Sequence, residues 1–72
     1  MTRTQIRLDT MQSINKFVEV MGRLDEQVWL EDGAGARVNA RSILGCVYSL
    51  EWDKIYVTCK RDINAYIMPW II

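Results

Sequence analysis

The apolar residues of this chain change period along its length, and that change restricts the available folds more than any other feature. Thr4 to Leu8 alternates, with Ile6 and Leu8 on one face, which is strand period. Met11, Ile14, Phe17, Val18 and Met21 then recur at three and four residues, one apolar stripe on an amphipathic helix. Asp9 stands as its N-cap with Gln12 at capping-box spacing, and Gly22 offers a left-handed C-cap with Leu24 folding back beyond it. Gln27 to Glu31 alternates again, Val28 and Leu30 opposite Trp29. Asp32-Gly33 is a hairpin dipeptide, and Ala34 to Asn39 returns with Ala36 and Val38 inward and Arg37 outward.

The second half also changes period, without repeating the first. A shorter helix is expected from Arg41 to about Leu50, with Ser42 as its cap and Ile43, Leu44, Val47 and Leu50 on its buried side. Lys54 to Lys60 is the strongest strand, β-branched and alternating, with Ile55, Val57 and Cys59 inward and Tyr56 and Thr58 outward. Asp62 caps a last element in which Ile63, Tyr66, Ile67, Trp70 and Ile71 follow helical spacing, and Pro69 kinks it or ends it early. The order β-α-β-β-α-β-α predicts an α+β open-faced sandwich: a four-stranded antiparallel sheet with all helices on one face. The other face then presents Arg7, Trp29, Arg37 and Tyr56 to water.

Composition narrows what such a fold can do. The 72 residues make one domain, and the half of them that are apolar, with seven aromatics, argue against intrinsic disorder. No apolar run approaches the 18 or so residues that span a bilayer, and Met1 to Thr4 leads into alternation, so neither membrane span nor signal peptide is expected. Nine basic residues balance nine acidic ones, which gives no electrostatic footprint for nucleic acid. Cys46 and Cys59 read as reduced, cytoplasmic thiols that behave as small hydrophobes. There is no histidine, so the commonest general base, the Ser-His and Cys-His nucleophile pairs and imidazole metal ligands are all excluded. The paired carboxylates Asp25/Glu26, Glu31/Asp32 and Glu51/Asp53 sit at turns and read as solvated charge, and Gly33-Ala34-Gly35 as a hairpin tip. No enzyme activity, cofactor or metal is expected.

One segment adds a resemblance. Val38-Asn39-Ala40-Arg41-Ser42-Ile43-Leu44-Gly45, closed by Ser49-Leu50, resembles the stretch around the regulatory serine of HPr, the histidine-containing phosphocarrier of the bacterial sugar phosphotransferase system. In that family a strand runs into A-K-S-(I/L)-(M/L)-G before a short helix. Ile14 to Val18, the Asp32-Gly33 turn and the element order fit the same pattern. The family's phosphocarriers also carry G-(L/I)-H-A-R-P at the start of the first helix, where this chain reads Leu8-Asp9-Thr10-Met11-Gln12-Ser13. Thr10 falls near the missing histidine, and a hydroxyl cannot form the labile phosphoramidate. One extra residue stands between Gly45 and Ser49, and the last helix is short, so partner binding does not carry over whole.

The resemblance implies a non-catalytic, regulatory protein–protein interaction module in carbon catabolite control. Ser42 is then the candidate phosphorylation site, and a serine kinase and a catabolite-control transcription factor are the expected partners. Arg41 beside it adds a cation, and Ile43, Leu44 and Val47 are candidate partner-binding residues. Two readings stay open at each of these positions. Ser42 is a preferred helix N-cap in its own right, and the three apolar residues can equally belong to the core. A competing class is a structural or dimerising module that uses the open sheet face, through Trp29 and Tyr56, or the tail Trp70-Ile71-Ile72.

Overall fold

The computed structural model describes residues 1–72. The strands are β1 (Thr2–Ile6), β2 (Val28–Glu31), β3 (Arg37–Asn39) and β4 (Ile55–Cys59). The helices are α1 (Met11–Gly22), α2 (Ile43–Ser49) and α3 (Asn64–Ile67), the last running into a 3-10 turn at Met68–Trp70. The strands form one antiparallel sheet in the order β1-β4-β2-β3. Thr4 lies opposite Val57, Val57 opposite Leu30, and Leu30 opposite Val38, which fixes the inward row of the sheet. This is the expected α+β open-faced sandwich. No helix is long and apolar enough to cross a membrane.

Alternation within each strand decides which face the helices cover. Ile6, Val28, Leu30, Ile55, Val57 and Cys59 are buried, and with Ile14, Phe17 and Met21 of α1, Cys46 of α2 and Ile67 of α3 they make one core. Trp70 completes it, packing edge-on against Phe17 with ring centroids 5.2 Å apart. The Thr4 hydroxyl donates to Asn64 Oδ1 at 2.8 Å, tying β1 to α3.

Several local expectations are corrected. Thr10, not Asp9, caps α1: its hydroxyl accepts from the Ser13 N–H at 3.0 Å. Met11 consequently stands at the first helical position, exposed, outside the buried stripe. Gly22 remains helical and Arg23 is the C-cap, although Leu24 does fold back, donating its N–H to Met21 O. The hairpin loop is longer than the dipeptide, because Asp32 Oδ1 accepts from both Ala34 N–H and Ala36 N–H and closes residues 32–36 into a compact loop. Only Gly33 and Gly35 take positive φ there. The last helix is a single turn, its N-cap being Ile63 rather than Asp62, whose carboxylate accepts only from the Asn64 N–H. Trp70 is therefore core rather than a tail free for dimerisation, and Ile71 bridges back to Ile6 on β1.

The largest correction concerns α2. The spacing of Ile43, Leu44, Val47 and Leu50 predicts that they line its buried side, yet all four are exposed, and Cys46 and Ser49 are buried instead. The cause is how closely α2 lies on the sheet: a Cβ built on Gly45 would stand 3.1 Å from Val38 Cβ. Only small side chains fit on that side. The Ser49 hydroxyl is satisfied there by donating to Cys46 O at 2.6 Å.

Candidate functional site

The sequence places its candidate residues at the start of α2, and the structure collects them into two groups with different duties. Ser42 is extended (φ −94°, ψ 119°) and half-buried, and its Oγ accepts from Gly45 N–H at 3.1 Å. Its carbonyl takes the Cys46 N–H, the first bond of the helix. The capping role is thus built in, and it satisfies a donor that the helix itself leaves without a partner.

Arg41 is committed elsewhere. Its guanidinium donates to the carbonyls of Met21, Leu24 and Glu26, at the end of α1 and in the loop that follows. Its backbone N–H goes to Asn39 Oδ1 at 2.9 Å. These bonds place the start of α2 beside the end of α1, and they hold the arginine's charge on three carbonyl oxygens rather than leaving it free next to Ser42.

The remaining candidates form a surface. Leu44 is 82% exposed and Ile43 46%, with Val47 beside them. Tyr48 on the same helix and Leu50 at its C-cap are exposed as well, and neither is among the candidates the sequence points to. The Tyr48 ring meets Trp52 edge-on at 6.1 Å. From Ile43 to Leu50 there is no charged side chain. That run of eight was visible in the sequence, but it reads equally well as a buried helix. Large contiguous apolar patches are uncommon on monomers and usually mark contact surfaces.

Elsewhere the structure assembles little chemistry. No three of the cysteine, aspartate and glutamate side chains come together as a metal site. Burial pushes the Cys46 thiol up to about 11, and its Sγ lies 3.6 Å from Ala40 O, so it remains protonated and unreactive at neutral pH. Among the turn carboxylates, Glu26 pairs with Arg61 and Glu31 with Arg37. On the open sheet face Arg37 lies 4.7 Å from the Trp29 ring centre and Arg3 4.3 Å from that of Tyr56. Trp29, Arg37 and Tyr56 share this face as expected. Arg3 is the cation that stacks on Tyr56, whereas Arg7 lies beyond the end of β1.

The fold and this surface together define the chain as a small α+β open-faced sandwich with one uncharged apolar helix face turned to solvent. Comparison with protein-family models, curated proteins and solved structures returns no match.

Proposed function

We propose that this chain is a non-catalytic, HPr-like interaction module acting in the cytoplasm, whose docking surface is the outer face of α2. The observation that carries the proposal is the exposure of Ile43, Leu44, Val47 and Tyr48 on one short helix that has no charge of its own, with Leu50 exposed at its C-cap. A domain this small has few apolar residues to spare, and leaving five of them outside the core costs stability that a binding partner recovers. The β-α-β-β-α-β-α order and the Ala40-Arg41-Ser42-Ile43-Leu44-Gly45 segment support the family assignment. Thr10, in place of the phosphocarrier histidine, has its hydroxyl engaged as the α1 cap, which supports a role without phosphotransfer.

Ser42, at the edge of this surface, is the proposed regulatory phosphorylation site, and the proposed partners are a serine kinase and a catabolite-control transcription factor. Phosphate here would add about two negative charges beside an apolar face and so change which partners it accepts. The open sheet face serves docking less well, because each of its aromatics already lies against an arginine.

The test is an intact-mass assay with ATP and a serine kinase of the phosphotransferase system, with Ser42→Ala as control. One added phosphate on the parent and none on the variant supports the regulatory reading. The modified protein should then bind the transcription factor, and Leu44→Asp should abolish that binding. If the kinase modifies an ordinary HPr and leaves this chain untouched, Ser42 is a helix cap alone.

A further inference from the structure

One buried polar side chain has no use in the fold, and it lies on the open sheet face, which the function proposed above leaves idle. Thr58 is 4% exposed and its Oγ1 has no hydrogen-bond partner, although valine would fill the same strand position without that cost. Thr58 lines a pocket of about 440 Å³ at the end of the sheet where β1 and β2 begin and β4 ends. Trp29, opposite Thr58 in the register, gives this pocket a flat apolar wall, and Met1 also lines it. The charged side chains of the lining are Arg37, Lys60 and Glu26. Arg37 is paired with Glu31 and Glu26 with Arg61, so each of those pairs cancels. Lys60 is exposed and belongs to no ion pair, which leaves the pocket net positive. An α-ammonium on Met1 adds charge of the same sign, and Ile72, at the opposite end of the chain, lies outside the lining.

We propose that this pocket binds a small aromatic monocarboxylate. The Thr58 hydroxyl donates to the carboxylate, Lys60 and Arg37 face its charge, and the ring lies along Trp29. A hydroxyl has one proton to give and an ionised carboxylate only accepts, so the bond is charge-assisted and stronger than one between neutral groups. Oγ1 is closed off from solvent in the free chain, so the occupant moves a covering side chain on entry, and the orphan donor is satisfied only in the bound state. The volume lies toward the lower end for ligand pockets, which suits a single ring. The guanidinium 4.7 Å from the Trp29 ring centre, which makes this face a poor seat for an apolar partner protein, favours an anionic ligand.

The test is an NMR titration of the full ¹⁵N-labelled chain, at fixed ionic strength, with phenylacetate, its neutral amide phenylacetamide, and acetate. At about 5 mM probe, a site with a dissociation constant of about 1 mM is mostly filled. Phenylacetate should shift the Trp29 indole N–H and the amides of Thr58 and Lys60 and leave those of α2 in place. Phenylacetamide, which lacks the charge, and acetate, which lacks the ring, should each bind at least about fivefold more weakly. Thr58→Val keeps the shape and removes the donor, and it should weaken phenylacetate at least about fivefold, whereas Thr58→Ser should bind within about twofold of the parent. Lys60→Gln, a change at an exposed position, should weaken it about threefold or more. Shifts that map elsewhere, none at this concentration, either control probe matching phenylacetate, or Thr58→Val binding as tightly as the parent would each overturn the proposal. None of these outcomes touches the kinase assay on Ser42.

Discussion

Thr58 is the residue most out of keeping with its surroundings. It lies on the open face of β4, between Trp29 and Arg3 in the register, yet it is only 4% exposed and its Oγ1 has no hydrogen-bond partner. A buried hydroxyl without a partner costs about 1–3 kcal/mol. Thr58→Val keeps the shape and removes that cost, so urea unfolding should show a gain of about 1 kcal/mol. Cys46 makes the opposite kind of statement, one about pH. Its thiol titrates at about 11 in the folded chain against an ordinary 9.0, because burial disfavours the thiolate. The folded state therefore holds its proton more tightly. The resulting stability is fully present below pH 9.0 and is lost as pH rises through about 11. The parent should lose about 1–2 kcal/mol more than Cys46→Ala between those limits, measured by urea unfolding at each pH.

At the scale of elements, α2 is held in place by its two ends. Ser42→Ala removes one cap bond and should cost about 1 kcal/mol. Arg41→Met removes the guanidinium from three carbonyls at once, and the cost should be larger, about 2 kcal/mol. Amide exchange should separate the two variants: Arg41→Met should raise it across residues 23–28, and Ser42→Ala should raise it only in the first turn of α2. Arg41 also marks the limit of what the sequence reveals. The strands were legible because β-branched residues alternate at period two, and α1 because large apolar residues mark its buried stripe. In α2 the large residues mark the outside. The buried side is set by Gly45, Cys46 and Ser49, whose small size matters only once β3 is seen to lie so close. Partner atoms distant in sequence, such as Leu24 O for Arg41 or Asn64 Oδ1 for Thr4, leave no local signal at all. The 32–36 loop shows a milder version: Asp32 reads as a turn residue from sequence, but the reach of its carboxylate to Ala36 N–H decides the loop length.

The whole molecule has little stability to spend. At about 0.05–0.15 kcal/mol per residue, a chain of this size is held by about 4–10 kcal/mol. Its core closes only when the last residues return to β1, with Trp70 seated against Phe17 and Ile71 bridged to Ile6. Trp70→Ala opens a large cavity against Phe17, and such changes cost about 3–5 kcal/mol. It should therefore unfold much of the population at room temperature, with loss of the near-ultraviolet circular dichroism of the packed rings. Leu44→Asp changes an apolar residue just as drastically, but on the outer face of α2, where surface substitutions stay within about 0.5 kcal/mol. The parent and Leu44→Asp should thus share one urea midpoint while Trp70→Ala falls far below both. A Leu44→Asp loss approaching that of Trp70→Ala would mean that the isolated chain already covers its α2 face. The surface on which the proposed docking depends would then not exist.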